Sequence, residues 1–377
     1  MSEWKKVKFL DFIVLQRGFD LTKDSIKDGP YPVVCSTSIM GYHNNYKVEG
    51  PGVVTGRSGT LGETQYVKGN FWPHNTTLFV KDFKGNNRQF VYYFLKNFDI
   101  ASMGGGAAIP SLNRNVLSNL SVTIPDLSIQ NNIANILSRY DSLIENYQKQ
   151  IKLLEEAAQR LYKEWFVDLH FPGHETTKIV DGVPEGWEKK KVGDMISKIQ
   201  RTKQVSANNY QTSGQIPVID QSRNFIAGYT DDAECLVKVT VPYIVFGDHT
   251  RILKYIPFSF AKGADGTQLI MSNDLDRMPQ TLFYNSLIEI DLSNYSYARH
   301  FKYLKEESVL LPSEHVARKY DSIVSRYYQS IQGSREQIRL LTEARDRLLP
   351  KLMSGEIDLG RNGLKGQHAH SPGQHPG

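Results

Sequence analysis

The feature that most constrains this chain is that it repeats itself at long range. "IKLLEEAAQRL" runs from Ile151 to Leu161, and "IRLLTEARDRL" runs from Ile338 to Leu348, 187 positions later. The same offset holds without a gap from Pro125/Pro312 through Ser138/Ser325, Arg139/Arg326, Tyr140/Tyr327 and Ile144/Ile331 to Arg160/Arg347. Each copy begins after a proline that ends a strand-like run, "VTIP" or "VLLP", and closes on an Asp-Leu pair, Asp168-Leu169 or Asp358-Leu359. A segment duplicated with its boundaries folds twice in the same way.

In the first copy the apolar residues Ile129, Ile133, Ile136, Tyr140, Leu143, Tyr147, Ile151, Leu154, Ala158, Leu161 and Trp165 step by four and three. That spacing predicts a helix with a coiled-coil seam. The second copy answers with Val316, Tyr320, Ile323, Tyr327, Ile331, Ile338, Leu341 and Leu348, so the two helices are expected to pair. Gly333 and Pro350 have no counterpart in the first copy, which predicts a second helix that is shorter or bent near its end. The competing reading packs each stripe on its own domain; the duplication argues against it.

Ahead of each helix lies a segment of short β-rich runs, Gly-, Asn- and Tyr-rich loops and one helical stretch, which reads as a mixed α/β domain. "GPYPVVCSTSIMGYHNN" in the first half answers "GQIPVIDQSRNFIAGYTDD" in the second, and "FVYYFLKN" answers "TLFYNSLI". The expected order is a domain over 1–125, a helix over 126–169, a linker over 170–185, a domain over 186–312, a helix over 313–359 and, at 360–377, a Gly/His/Pro-rich disordered tail such as an expression tag leaves.

Chemistry is harder to find. The two cysteines, Cys35 and Cys235, are too few and too far apart for a disulfide framework or a metal site, and the histidines have no ligand spacing. No apolar run approaches the ~18 residues a membrane span needs, so a cytoplasmic protein is expected. HExxH, GxSxG and Cys-x-x-Cys motifs are absent, as is the Asn/Asp-Pro-Pro-Tyr/Phe sequence of base-methylating enzymes. "GVVTGRSGTLGET" lacks the glycine spacing and the Gly-Lys-Ser/Thr of a nucleotide-binding P-loop. The run "SMGGGAAIPSLN" could hold a phosphate on its amides or be a plain turn. The sequence assigns no catalytic residue.

What the loops offer is Arg, Lys, Asn, His and Tyr side chains suited to DNA, on a chain of net charge +5. Arg can take guanine O6/N7 and Asn adenine N6/N7, each with two hydrogen bonds, while Lys and Tyr can hold phosphates. The candidates are Tyr42, His43, Asn44, Asn45, Lys47, Arg57, Ser58, His74, Asn75, Asn113 and Arg114 in the first half, and Arg223, Asn224, Tyr229, His249, Arg251 and Lys254 in the second.

This pattern resembles the specificity subunit of type I restriction-modification systems across essentially the whole chain. The likeness rests on the opening Trp strands, the "G-x-x-P-V" turns (Gly29 to Val33 and Gly214 to Val218), the "GRSGTLG" loop, the "P…Q-x-x-I" helix start and the ending "KLMSGEIDL". The stretch "FGDHTRILKY", Phe246 to Tyr255, departs from it, having Gly247 alone where "TGRSGTLGET" in the first half has three glycines. The resemblance implies a non-catalytic subunit with two target-recognition domains, each reading half of a split, asymmetric double-stranded DNA site. The helices would form an antiparallel coiled coil with pseudo-twofold symmetry that sets the unread spacer and docks two adenine-methyltransferase subunits, with translocase-nuclease restriction subunits joining them. It also implies no cofactor of its own; S-adenosylmethionine, ATP and magnesium would belong to the partners. The alternatives are a coiled-coil scaffold with protein-binding domains and a self-contained DNA-modifying enzyme.

Overall fold

The computed structural model describes residues 4–57, 61–99, 117, 120–295 and 299–359. Two compact units emerge: unit 1 is Met1–Asn146 with Ile338–Gly377, and unit 2 is Tyr147–Gln337.

In unit 1 the globular part is closed at its ends, since strand Lys5–Lys8 pairs antiparallel with Ser121–Ile124 in the register Lys5↔Ile124. The chain then turns directly into a helix. Pro125 can donate no backbone bond, and the Asp126 carboxylate accepts from the Ile129 amide at 2.9 Å, capping the first long helix, Leu127–Tyr162. Between these ends the strands Val14–Arg17, Thr77–Asp82, Gly52–Gly56 and Thr64–Val67 form a four-stranded sheet in that spatial order. A smaller sheet joins Ile39–His43 to Tyr31–Val34 and, in parallel, Trp72–Pro73. Helix Arg88–Asn97, capped by the Asn87 side chain, lays Phe90, Val91, Tyr93 and Leu95 into the core with Phe9, Phe12 and Leu78.

Unit 2 repeats this layout. Glu188–Lys191 pairs with Ser308–Leu311 ahead of the second long helix, Glu314–Met353. Tyr243–Gly247 lies between Leu253–Ile256 and Thr267–Ile270, Ile216–Ile219 lies between Gly228–Thr230 and Phe260–Lys262, and helix Gln280–Ile288 takes the place of Arg88–Asn97. The opening tryptophans are equivalent as well. Trp187 packs on Phe166 and Phe171, just past the end of the first long helix, and Trp4 lies against Gly355, just past the end of the second.

Within each unit the long helices pair antiparallel, the start of one beside the end of the other: Asp141 meets Arg345 in unit 1, and Tyr320 meets Ala158 in unit 2. The buried stripe of the first helix is displaced from the expected seam. Leu143 is 46% exposed, whereas Ala134, Leu137 and Ile144 are buried, because the helix must satisfy both its partner helix and the adjoining domain, a wider stripe than a two-helix seam. Neither breaker ends the second helix, whose 40 residues run through both Gly333 and Pro350. Gly333 is exposed with open space around it, and Pro350 sits in the last turn, where only one ladder bond is forgone. It is the first helix that changes its winding, into a π-turn at Lys163–Val167 that buries Trp165 and Phe166.

Candidate nucleic-acid interface

In unit 1 the polar loops gather around two aromatic rings. The chain leaves strand Ile39–His43 with Tyr42 exposed and His43 buried; the His43 ring stands edge-on to Trp72 at 5.3 Å, and its Nδ1 accepts from the Lys27 amide at 3.0 Å. Asn44 and Asn45 stay exposed, and the Lys47 ammonium lies 5.0 Å over the Trp72 ring. Trp72 in turn meets Phe19 at 6.3 Å. The backbone beside Phe19 presses on the next loop: a Cβ on Gly18 would come within 2.1 Å of the His74 carbonyl oxygen, which is why glycine stands there. His74 Nδ1 lies 3.1 Å from Thr76 Oγ1, Asn75 donates to Asp20, and the Arg57 amide donates to the Thr76 carbonyl at 2.9 Å. The structure thus brings Tyr42, Asn44, Asn45, Lys47, Arg57, His74 and Asn75 to one loop cluster. The Arg57 Nε is buried without a hydrogen-bond partner among the described residues. Ser58, Asn113, Arg114 and the "SMGGGAAIPSLN" run lie outside the described residues.

In unit 2 the organiser is Gln221, which reasoning from the sequence missed. Its side chain accepts from the His249 amide at 3.0 Å and donates to the Asp265 carbonyl at 2.8 Å, while its carbonyl accepts from Thr250 Oγ1 at 2.7 Å. Three loops are tied by one amide. Arg223, Asn224 and His249 are exposed here, and Arg251, at a φ of 61°, turns its guanidinium to the Leu292 carbonyl at 3.1 Å. Lys254 has a different place. Its side chain is 4% exposed and its ammonium is spent on the Asp220 carbonyl at 2.7 Å and the Asn224 carbonyl. Burial, opposed by Asp220, pushes the amine down to about 8. Lys254 and His43 therefore brace loops from beneath rather than reach outward. Tyr229, on strand Gly228–Thr230 opposite Gln211, stands apart from the Gln221 cluster.

Among the described residues no group of three or more His, Cys, Asp or Glu is placed to hold a metal. Two α/β modules, each carrying a polar loop cluster and each packed on paired long helices, define a modular recognition protein. Comparisons with known proteins say of which kind. Residues 1–156 match the family model described as type I restriction modification DNA specificity domain. The chain is 25% identical over 301 residues to the type I restriction enzyme MjaIX specificity subunit of Methanocaldococcus jannaschii, covering 71% of this chain and 69% of that protein. It is 30% identical over 99 residues to the EcoR124I/EcoR124II specificity subunit of Escherichia coli, a match spanning 26% of this chain and 24% of that protein. The crystal structure of a type I restriction-modification S subunit from M. genitalium superposes with a TM-score of 0.61 at 18% identity, over 93% of this chain and 96% of that one, and so shares the fold. The chain is thus similar to type I restriction-modification specificity subunits, and its first 156 residues to their DNA specificity domain.

Proposed function

We propose that this chain is the non-catalytic DNA-reading subunit of a type I restriction-modification complex, in which each unit reads one half of a bipartite, asymmetric site and the long helices act as spacer and platform. The observation that supports this most is the duplication: two loop-bearing modules of one design but different loop chemistry, on helices more alike than the modules. Half-buried Arg57 and exposed Arg223 suit guanine edges, and Asn44, Asn75 and Asn224 suit adenine. Lys47, held over Trp72, suits a phosphate. Ser58, Asn113, Arg114, His249 and Arg251 complete the set.

Two adenine-methyltransferase subunits and the translocase-nuclease subunits are the partners this role requires, and S-adenosylmethionine, ATP and magnesium would be theirs. A cytoplasmic location follows from the role; among the described residues no helix is long and apolar enough to cross a membrane.

The test is exchange of residues 1–124 for the corresponding segment of a relative, followed by sequencing of methylated adenines in cells carrying the complete system. One half of the methylated sequence should change and the other stay. A change in both halves would refute separate reading.

A further inference from the structure

The two units part company at one edge of the larger sheet. In unit 1, Val14 pairs with Asp82, the chain stays on the sheet through Arg17, and Phe19 bridges His74. In unit 2 the equivalent of Val14 is Ile196, which bridges Ser272; Asp82 and Ser272 each lie five residues past the threonine, Thr77 or Thr267, that pairs with the last residue of the central strand, Gly56 or Gly247. There the chain leaves the sheet. Its next bridge is Val205 to Gly263, so the path from Ile196 to Val205 is four residues longer than that from Val14 to Phe19. Among the described residues, strand Thr267–Ile270 has a ladder partner on one side only, Tyr243–Gly247.

A cleft of about 480 Å³ lies between the detached segment and that strand. Gln200, Arg201, Thr202 and Gln204 line it from the segment, Lys262 and Gln268 from the sheet, and among the described residues no acidic one does. Among the described residues neither Arg201 nor Lys262 has an ion-pair partner, and the Lys262 ammonium is pulled below its ordinary value by burial and then by the Arg201 charge. Two cations held together in a polar cleft repel each other until an anion lies between them. One turn links the cleft to the loop cluster already described. The turn that joins Lys262 to Gln268 carries Asp265, whose carbonyl accepts from Gln221, and Gly266, which lies against the His249 ring.

We propose that this cleft is a DNA-contact site peculiar to unit 2, in which Arg201 and Lys262 clamp one backbone phosphate while the glutamines line the path of the adjoining nucleotide. The inference rests on the DNA-reading role. A phosphate contact of this kind has no sequence preference and releases counterions, so its signature is salt dependence.

The test uses the full-length chain, a duplex carrying the host's methylated sequence and a scrambled duplex, with fluorescence anisotropy over a salt series. The double variant Arg201→Ala/Lys262→Ala should lose about tenfold in affinity for both duplexes, and its log–log salt slope should fall by about 1, the share of one phosphate contact. The charge-keeping double variant Arg201→Lys/Lys262→Arg should retain the wild-type slope. If the wild-type chain binds neither duplex, the DNA-reading role itself fails. If the wild type binds and the alanine variant keeps its slope, the clamp is refuted, whether or not affinity falls through a destabilised fold. Calorimetry with inorganic phosphate separates the remaining case: loss of phosphate binding with an unchanged DNA slope would make the cleft an ion site and overturn the proposal.

Discussion

The junction between domain and helices is built at matching positions in the two units and filled with different chemistry. In unit 1 the domain helix sends the Tyr93 hydroxyl to Asp141, which also takes the Arg345 guanidinium at 2.6 Å. In unit 2 the repeat equivalent of Asp141 is Tyr328; its hydroxyl meets Asn285 Oδ1 at 3.0 Å, and Asn285 also accepts from Gln159 at 2.6 Å. One junction is ionic and the other neutral. An ion pair between the long helices of unit 2 lies elsewhere, Arg335 to Glu155 at 3.1 Å, with the guanidinium 3.8 Å over the Phe225 ring. A duplicated scaffold thus fixes where a polar contact must be made, because the helical spacing puts the same two positions face to face, and leaves open which donor and acceptor make it.

The difference can be tested by urea unfolding of the full chain. The largest effect should come from the shared apolar layer, where Leu137 and its repeat equivalent Val324 are both 0% exposed. Leu137→Ala should destabilise unit 1 by about 2–5 kcal/mol, and Val324→Ala, which removes less, should destabilise unit 2 by roughly 2 kcal/mol. Equal movement of both transitions by either substitution would show that the units do not unfold separately. At the junction, Asp141→Asn leaves an Arg345 side chain that is 12% exposed with Asp346, at 2.8 Å, as its remaining carboxylate. The expected cost is about 2 kcal/mol, discounted for the partial exposure of Asp141, against about 1 kcal/mol for Tyr328→Phe in unit 2. Equal costs would mean that the ionic character of the first junction is energetically idle.

A smaller effect depends on pH. The Lys254 amine sits at about 8 in the folded state, below the 10.5 of an unfolded lysine, so above pH 8 the unfolded chain binds more protons and folding should gain stability as pH rises. Lys254→Met should remove that gain from the unit 2 transition; a gain unchanged in the variant would assign it to other groups. The smallest effect is expected at Gly333, whose repeat equivalent in the first helix is Asn146. Gly333→Ala should stabilise unit 2 by about 0.4–1 kcal/mol, because alanine has less backbone entropy to lose and the space is open, while Asn146→Ala should change unit 1 by only a few tenths of a kcal/mol.

The repeat made the fold legible. A 187-residue offset, proline boundaries and a 3/4 apolar step identify the helices, and the shared "P-V" turns and domain helices identify the modules. Periodicity was a weaker guide to burial. Stepping along the pattern put Leu143 in the seam, where Ile144 is buried instead, since a periodic pattern does not say how many neighbours a helix must face. The breakers do not end the second helix for a related reason: the cost of Gly333 or Pro350 depends on exposure and on distance from the helix end. At the candidate interface, composition located the loops but could not separate an outward Arg223 from a buried Lys254, because both lie in equally polar stretches. The cleft at Arg201 had a faint signal, four extra residues between otherwise equivalent bridges, visible only once the strand pairing is known.

One arrangement has a consequence for how the molecule is made. Unit 2 is a single uninterrupted stretch, Tyr147–Gln337, whereas unit 1 closes only when Ile338 and beyond return to it; Leu349 and Leu352, 5% and 1% exposed, complete its core. Translation therefore delivers every part of unit 2 before it delivers the last part of unit 1. The first domain to leave the ribosome is the last that can finish folding, and until then Ile133, Ala134 and Leu137 lack the helix that covers them. A message cut short before codon 338 would release one finished module and one with an open apolar flank, a target for chaperones and proteases.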